Sequence, residues 1–532
     1  MPDVLTSFNR RSTPQTERAD KRQVKNHAGG YTFEVTPVER VRRFLVLGTE
    51  AGTYYVSPSD LTRDNAEAVV ALAETDHRTL VDTIVDVSTR GAAPKANPAL
   101  FALAVAAATG DATDKAYALE QLPKVARTGT HLFLFARYVE QFRGWGRGLR
   151  RAVADWYMSK DADQVAFQAV KYRQREGWSH RDLLRLAHPV TLDPATRATF
   201  DWITHGTVSD DTPRLISGFL KAQEPGADVA ALVREHRLSW EMLPDPALGD
   251  AGTWDALLDV GIPQTALIRQ LPRLTRLGML PPMGGRTAEV CAQLVDPDRL
   301  RSARVHPVNV LVAQRTYAAG HGARGQATWE PNRKVVDALD AAFYAAFGTV
   351  EPAGKRTMLG VDVSGSMGAP IAGMPLSCRD ASAALALVTL ATEPDSAAYG
   401  FTGGNWFSRH DTAITPLTLS PRQRLDDAIR TVSNLPFGGT DCALPMIHAR
   451  ENGLEVDTFV VLTDNETWAG QQHPHQALNA YRQSTGIPAR LVVVGMTATD
   501  FTIADPTDAG MLDVAGFDTA VPNLISGFSR GI

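Results

Sequence analysis

The chain has 532 residues, a hydrophobic content of 44% and a formal net charge of −5. Such a length exceeds what one hydrophobic core supports, so we expect at least two domains. No stretch approaches the roughly 18 apolar residues of a membrane span, and the amino terminus has no apolar signal core, so we expect a cytoplasmic protein without a membrane segment.

The charge is unevenly distributed along the chain. Residues 355–532 carry 11 basic and 18 acidic side chains, a net charge of −7, which leaves 43 basic and 41 acidic side chains, a net charge of +2, in residues 1–354. Residues 143–188 alone hold ten basic and five acidic side chains. This local excess is typical of a surface that binds a polyanion, although a charge-rich solvated helix face is the alternative.

Residues 38–350 are predicted to form one helix after another, with few strands. Asn97 and Pro98 form a typical helix start, and Gly110 ends that helix. Further helices are predicted at 63–90, 113–126, 130–142, 147–158, 163–176, 179–188, 194–205, 211–222, 226–236, 252–260, 263–276, 286–294, 306–319 and 332–347. Many short helices joined by short loops predict a solenoid of paired helices, although no fixed sequence period is present.

Two neighbouring helices in this region are predicted to carry basic faces. Lys171 and Arg175 lie four residues apart and would share one face of the helix at 163–176. Gly177 ends that helix, and Ser179 with Asp182 forms a predicted capping box for the next one.

On this second helix, Arg181, Arg185 and His188 fall at positions i, i+4 and i+7, opposite an apolar stripe. Lys171, Arg175, Arg185 and His188 could therefore form a common basic surface suited to phosphates. Solvated faces with local ion pairs remain the alternative for each residue taken singly.

After residue 355 the pattern changes to strands that alternate with helices. A buried strand ends at Asp362 and is followed by Ser364 and Ser366, so three oxygen ligands come from one turn. These are the ligands that Mg²⁺ prefers, since it binds oxygen and keeps several of its waters. A turn network without a metal is the alternative, because Asp, Ser and Gly clusters are common in turns.

Two later loops are predicted to lie near this turn. Thr440 follows two glycines, and Asp464 ends a second apolar strand at 458–463. In a parallel sheet, ligands bind outside the carboxyl ends of the strands, so Asp362 and Asp464 could share one crevice. The sequence therefore predicts a divalent cation, with Mg²⁺ favoured, bound by Asp362, Ser364, Ser366, Thr440 and Asp464.

The intervening segments fit a doubly wound α/β domain. We expect Asp380 to cap a helix that extends to about Thr392, and Ser420 with Pro421 to open another. Further strands are predicted at 397–402 and 489–496. The whole pattern resembles a von Willebrand factor A domain with a metal-ion-dependent adhesion site, in which the five residues named above match the ligand positions.

The amino-terminal motifs resemble those of the TROVE domain of Ro ribonucleoproteins. They are LVLGTEAGTYY at 45–55, THLF at 130–133, GWGR at 144–147, ADWY at 154–157, GWSH at 177–180 and GKR at 354–356. They are followed by DVSGSM at 362–367, GTDC at 439–442 and TDNET at 463–467, in the domain order of that family. The resemblance covers residues from about 20 to the end.

This resemblance implies a mainly α domain plus an α/β domain. Residues 1–354 would form a ring of HEAT-like helical repeats, with about the first 20 residues flexible, and the von Willebrand factor A domain at 355–532 would close the ring. Such proteins bind Y-like small RNA on the outer surface. They also take misfolded noncoding RNA or rRNA by its single-stranded 3′ end, and bacterial members work with a 3′-to-5′ exoribonuclease such as polynucleotide phosphorylase.

Carried over residue by residue, the family's Y RNA contacts fall on Lys171, Arg175 and His188. We add Arg173 and Arg185 from the same basic segment. Arg147 in the GWGR motif, with Arg143 and Arg150 nearby, could contact RNA at the inner wall of the ring, and a packing role for Trp145 and its neighbours is the alternative. The overall negative charge departs from the basic charge usual in vertebrate members and predicts weaker RNA binding at physiological salt.

The function predicted from these features is noncatalytic RNA binding by a monomeric ring in RNA quality control. No nucleophile and base occur at motif spacing, so we expect no enzyme activity. A scaffold that binds a partner's carboxylate through the cation, as adhesion-type A domains do, is the alternative. A nucleotide-handling enzyme is disfavoured because no phosphate-binding glycine motif is present in a suitable context. The three cysteines, Cys291, Cys378 and Cys442, lack metal-ligand spacing, and we expect buried, reduced thiols.

Overall fold

A computed structural model describes residues 12–49, 53, 55–322, 326–348, 350–371, 376–403, 413–420, 423–435 and 438–531. These residues form two compact units. One unit comprises the described residues up to Asn65 together with those from Phe347 onward, and the other spans Ala66–Ala346. The sequence predicts a domain boundary after residue 354, with all earlier residues in the helical domain. In the structure, residues 12–65 belong to the α/β unit instead.

The amino-terminal segment consists of two strands and two helices. They are β1 (Gln23–Lys25), β2 (Tyr31–Glu34), α1 (Pro37–Leu47) and α2 (Pro58–Thr75). A capping box of Thr36 with Glu39 starts α1. Gln15 is fully buried, and the expected flexibility of about the first 20 residues stays a prediction. Residues 1–11 lie outside the described part of the chain.

The helical unit follows the predicted series of helices closely. Its elements are the rest of α2, then α3 (His77–Arg90), α4 (Asn97–Ala106), α5 (Ala112–Glu120), α6 (Leu122–Val125), α7 (Gly129–Phe142), α8 (Arg147–Met158), α9 (Ala162–Lys171), β3 (Gln174–Arg175), β4 (Trp178–Ser179), α10 (His180–Ala187), α11 (Pro194–His205), α12 (Arg214–Ala222), α13 (Val229–His236), α14 (Ala251–Val260), α15 (Gln264–Arg276), α16 (Gly285–Val295), α17 (Pro297–Ser302), α18 (Pro307–Ala319) and α19 (Arg333–Ala345).

Two differences from the prediction have local causes. The predicted helix at 63–90 is two helices, because the Asp76 side chain accepts a hydrogen bond from the Thr79 amide and so caps α3. The predicted helix at 163–176 ends at Lys171 and is followed by the β3–β4 hairpin.

Segments far apart in sequence meet within the helical unit. The Arg304 guanidinium donates to the Ser88 carbonyl at 2.9 Å, and a ring nitrogen of His306 lies 3.0 Å from the Ala92 carbonyl oxygen. Closure of a ring by the α/β domain stays a prediction.

The α/β unit is built on a six-stranded sheet. Its elements are β5 (Thr357–Asp362), α20 (Cys378–Thr392), β6 (Ser396–Phe401), β7 (Ile414–Leu417), α21 (Leu425–Ser433), α22 (Leu444–Glu451), β8 (Thr458–Thr463), α23 (Pro474–Thr485), β9 (Arg490–Gly495), β10 (Phe501–Thr502), β11 (Met511–Ala515) and α24 (Val521–Arg530). The strand order is β11-β9-β8-β5-β6-β7, with all neighbours parallel except β6 and β7. The predicted mainly α plus α/β fold class is confirmed.

Two predicted helix starts in this unit are wrong. Ser377, not Asp380, is the N-cap of α20, and Asp380 is its capping-box partner. The helix expected from Ser420 and Pro421 begins only at Leu425, and Pro421 lies outside the described residues. The strand β10 was not predicted, and it pairs antiparallel with β2, which joins the amino-terminal segment to the same unit.

The three cysteines form no disulfide, as expected. Cys378 and Cys442 are buried, and Cys291 is half-buried. Among the described helices, none is both long and apolar enough to cross a membrane.

Candidate metal centre and nucleic-acid interface

The carboxyl end of β5 gathers three of the predicted metal ligands in one turn. The Ser364 amide donates to Asp362 Oδ1 at 2.9 Å, and the hydroxyl oxygens of Ser364 and Ser366 lie 3.1 Å apart. The Thr463 hydroxyl donates to Asp362 Oδ2 at 2.7 Å. Because β5 and β8 are parallel neighbours, Asp464 after β8 reaches the same edge of the sheet.

The remaining two predicted ligands lie on loops that are bonded to each other. The Ser366 side chain favours the ionised form of Asp464, and the Glu466 amide donates to Asp464 Oδ1 at 3.1 Å. The Thr440 carbonyl accepts hydrogen bonds from the amides of Trp468 at 3.0 Å and Ala469 at 2.9 Å. We call Asp362, Ser364, Ser366, Thr440 and Asp464 the oxygen site, and each of these residues is at most 3% exposed.

Burial places like charges close together in the oxygen site. Desolvation raises the pKa of Asp362, although hydrogen bonds from Ser364 and Thr463 oppose it. Burial, followed by repulsion from Asp362 and Glu466, raises the pKa of Asp464 to about 8. The Arg379 guanidinium favours the ionised form of Asp362. A divalent cation would relieve the repulsion that remains between the two carboxylates.

The donor set fits a hard cation. Two carboxylates and three hydroxyls supply only oxygen, which suits Mg²⁺ and other small oxygen-binding ions. The described ranges contain no cluster of three or more His, Cys, Asp and Glu side chains that could hold a metal. The oxygen site differs from such clusters because three of its five candidate ligands are hydroxyls.

The amino-terminal segment forms hydrogen bonds to the loops of the oxygen site. The sequence analysis did not predict these contacts. The Gln15 amide donates to Asp441 Oδ1 at 2.7 Å and accepts from the Thr467 hydroxyl at 2.6 Å. A ring nitrogen of His27 lies 2.9 Å from Glu466 Oε1. This contact raises the pKa of His27. Residues before the first helix therefore contact the loops that carry Thr440 and Asp464.

Gly30 lies directly against the backbone of the loop that follows β8. A Cβ atom built on Gly30 would lie 1.9 Å from the Thr467 carbonyl oxygen, a backbone atom that cannot rotate away. Gly30→Ala is therefore expected to lower the free energy of unfolding of the α/β unit by about 1–3 kcal/mol. Thermal unfolding measures this. Gly527→Ala, within α24, is the control, because no atom beyond its chain neighbours and its own helix backbone lies within 4 Å of its Cβ position. Equal melting temperatures for both variants would contradict the contact.

Lys171 is placed differently from the prediction. Because α9 ends at Lys171, this residue and Arg175 do not share a helix face. Its Nζ lies 3.1 Å from Glu241 Oε1, and its side chain is only 9% exposed. Lys171 thus forms a largely buried ion pair in this structure, and its RNA contact stays a prediction.

The ion pair predicts that Lys171 contributes more than Arg175 to the free energy of unfolding. Lys171→Ala is expected to lower the free energy of unfolding by about 1–3 kcal/mol, because Glu241 loses its partner in a partly buried position. Arg175→Ala, at an exposed position, is expected to change it by less than about 0.5 kcal/mol. Denaturant unfolding of both variants checks this, and equal stabilities would contradict it.

Arg175 lies on the β3–β4 hairpin. The turn residues Glu176 and Gly177 both have positive φ, 55° and 81°, as a tight two-residue hairpin turn requires. Arg175 pairs with Trp178 across the hairpin. Arg173, just before the hairpin, is exposed and lies over the Phe219 ring at 5.6 Å.

The helix α10 carries the other basic residues as predicted. The capping box of Ser179 with Asp182 is confirmed. Arg181 and Arg185 are exposed, and the opposite face is buried. His188 is the exposed C-cap, with a left-handed φ of 47°.

Three arginines and one histidine at these positions have no protein partner in the described part of the chain. We call Arg175, Arg181, Arg185 and His188 the arginine surface. Within the described ranges, their side chains form no hydrogen bond or ion pair. Arg147, at the start of α8, is also exposed. Cations without protein partners are available to bind phosphates.

Comparison with known proteins agrees with the fold and the order of the motifs. The chain matches the TROVE domain over residues 24–209 and 232–316, and the Ro60 vWA domain over residues 356–529. "RNA-binding protein RO60" of Deinococcus radiodurans is 44% identical over 540 residues, which cover 100% of each chain. The protein of the same name from Caenorhabditis elegans is 35% identical over 97% of this chain and 91% of its own length.

A solved structure is also similar. The crystal structure of Deinococcus radiodurans RO (RSR) protein has a TM-score of 0.70 and 43% sequence identity, and the match covers 93% of this chain and 100% of that one. The matched domains span most of the sequence, and both relatives are similar over nearly their whole length. The chain therefore belongs to the Ro60 family of TROVE-domain RNA-binding proteins.

Proposed function

We propose that the protein binds a Y-like small RNA through the arginine surface, without catalysing a reaction. The observation that carries this proposal is the group of exposed, unpaired cations on the β3–β4 hairpin and on α10. Phosphate contacts supply most of the affinity in such complexes, while shape and strand accessibility decide which RNA binds. Arg173 and Arg147 add exposed positive charge in the same unit. The names of the relatives support RNA as the ligand.

The second part of the proposal concerns the fate of other RNAs. The protein takes misfolded noncoding RNA or rRNA by its single-stranded 3′ end and presents it to a 3′-to-5′ exoribonuclease such as polynucleotide phosphorylase. It acts as a monomer in the cytoplasm, in RNA quality control. The support is membership of the Ro60 family together with the local positive charge in a chain of net charge −5.

The oxygen site is proposed to hold a structural divalent cation, with Mg²⁺ favoured. Its two buried carboxylates repel each other, which supports a bound cation. The adhesion-type alternative requires that a partner's carboxylate reach the ion. The near-complete burial of the five residues weighs against that alternative.

Crosslinking the full-length protein to RNA in its own cells tests the proposal. Sequencing of the crosslinked RNA is expected to recover one abundant small structured RNA together with misfolded noncoding RNA or rRNA fragments. A 3′-to-5′ exoribonuclease is expected to copurify and to be lost after ribonuclease treatment. Recovery of no RNA above the level of a mock purification would overturn the proposal. Copurification of the nuclease that survives ribonuclease treatment would show that the nuclease contacts the protein directly, and would overturn the link through RNA alone.

A further inference from the structure

The side-chain amide of Gln15 joins the two loops that carry Thr440 and Asp464. Gln15 Nε2 donates to Asp441 Oδ1 at 2.7 Å, and Asp441 directly follows Thr440. Gln15 Oε1 accepts from the Thr467 hydroxyl at 2.6 Å, and Thr467 lies in the loop that begins with Asp464. One side chain from the start of the chain therefore fixes the position of one loop against the other.

The joint around Gln15 is tight, and its hydrogen bonds are complete. Gln15 is 0% exposed, and its Nε2 donates a second hydrogen bond, to the Gln472 carbonyl at 2.8 Å. Its Oε1 also accepts from the Gly470 amide at 3.3 Å. A Cβ atom built on Gly470 would collide with Asp441 Oδ1 and Gln15 Nε2. All four hydrogen-bonding positions of the side-chain amide are used, which fixes its orientation.

The chain around Gln15 binds the same loop at further points. We call residues 12–31 the strap. The Gln15 backbone amide donates to the Gly470 carbonyl at 2.9 Å, and Asn26 Nδ2 donates to the Thr467 carbonyl at 2.8 Å. Separation of the strap from the loop after β8 would leave these buried groups without partners, so the two are expected to move together.

The fit of a small cation depends on where these loops lie. Three of the five candidate ligands share the turn after β5, whereas Thr440 and Asp464 come from the two loops that Gln15 joins. Mg²⁺ requires near-ideal octahedral geometry, whereas Ca²⁺ accepts variable geometry and ligand number. A small displacement of one loop should therefore weaken Mg²⁺ binding more than Ca²⁺ binding.

We propose that Gln15 is a positioning residue of the oxygen site and that docking of the strap is coupled to binding of the cation. The inference rests on the proposed cation and concerns a residue that is not a ligand. A cation that requires both loops in place favours the docked strap. By linkage, the docked strap raises the affinity for the cation by the same factor.

Calorimetric titration of the full-length protein with Mg²⁺ and with Ca²⁺ measures the effect of the strap on the cation. Gln15→Ala is expected to weaken Mg²⁺ binding by about tenfold, the lower end of the effect of residues that orient metal ligands. Ca²⁺ binding is expected to weaken less, so the ratio of the two dissociation constants changes. The control is Tyr481→Phe, which removes buried hydrogen bonds to Leu454 and Val456 in the same unit. It should keep both affinities within about twofold, because distant sites act independently.

Limited proteolysis measures the effect of the cation on the strap. Arg18, Lys21 and Lys25 are exposed trypsin sites within the strap, and Lys221 on α12 is an exposed site in the helical unit. Saturating Mg²⁺ is expected to slow cleavage in the strap of the wild type by about tenfold, because cleavage requires an opened segment. Cleavage at Lys221, and strap cleavage in Asp464→Asn, should be equally fast in Mg²⁺ and in EDTA.

Unchanged Mg²⁺ affinity in Gln15→Ala would overturn the positioning role. Equal weakening of Mg²⁺ and Ca²⁺ binding, or the same weakening in Tyr481→Phe, would show a general loss of stability instead and would also overturn it. Strap cleavage in the wild type that is equally fast in Mg²⁺ and in EDTA would overturn the coupling. A wild type that binds neither ion would overturn the proposed cation together with this inference, and would leave the proposed RNA binding intact.

Discussion

Replacing Arg175 and Arg185 with glutamine is expected to weaken binding of a bulged hairpin RNA by about 30- to 140-fold near 0.1 M salt. Each exposed guanidinium can make a charge-assisted phosphate contact worth about 1–1.5 kcal/mol, and neither has a protein partner within the described ranges to replace it. Log affinity falls as log salt rises, and the loss of two contacts should make this slope less steep by about 1.4–1.8. Titrations at several salt concentrations with the full-length protein measure both quantities.

The control variant loses the same charge elsewhere in the helical unit. Arg276 and Arg301 are exposed on α15 and α17, and their double replacement with glutamine changes the net charge identically. This control is expected to keep the wild-type affinity within about twofold, because distant surface charges are screened over about 10 Å at this salt concentration. If both double variants bind equally, general charge rather than the arginine surface attracts the RNA.

Mg²⁺ at about 100 times its dissociation constant is expected to stabilise the wild-type α/β unit by about 2.7 kcal/mol. For a unit of this size, that corresponds to a rise of about 5–10 °C in melting temperature. The physical reason is that burial and mutual repulsion disfavour the ionised forms of Asp362 and Asp464, and the attraction of both carboxylates to a bound cation outweighs this. Calorimetry of the full-length protein in Mg²⁺ and in EDTA measures the difference.

Asp464→Asn is the variant that separates cation binding from general stabilisation. It is expected to lose the response to Mg²⁺ and to be at least as stable as the wild type in EDTA, because asparagine keeps the shape of the side chain without the charge that burial and Asp362 disfavour. Asp427→Asn, on the partly exposed face of α21, should keep the full response. A wild type that melts at the same temperature in Mg²⁺ and in EDTA would show that the oxygen site works without a cation.

Local signals made much of this fold predictable. The helix predicted at 130–142 spans Gly129–Phe142, because the Thr128 side chain caps it at a position that sequence alone can recognise. The strands ending at Asp362 and Thr463 were predicted because fully buried strands are continuous apolar runs. Asp362, Ser364 and Ser366 are linked by direct hydrogen bonds. Asp464 follows the neighbouring parallel strand at the same edge of the sheet, as expected.

Contacts between distant residues were not predictable in this way. The ion pair of Lys171 with Glu241 depends on how α9 packs, and no local pattern encodes it. The β3–β4 hairpin was missed because Glu176 and Gly177 looked like a helix end, and two-residue strands are too short to show alternation. The contacts of Gln15 are formed by an isolated polar residue whose partners lie more than 400 positions later.

The amino-terminal segment can complete its fold only after the carboxy-terminal part has been synthesised. Strand β2 pairs with β10, and Arg43 pairs with Asp513. Arg43 donates to Asp513 at 2.5 Å, and the two residues are 470 positions apart. At roughly 5–20 residues per second, the nascent amino-terminal segment waits about 25–95 s for its partner. During that interval the intervening helical unit can fold first. The segment around Arg43 is then among the last parts of the α/β unit to fold, although it leaves the ribosome 470 residues before its partner.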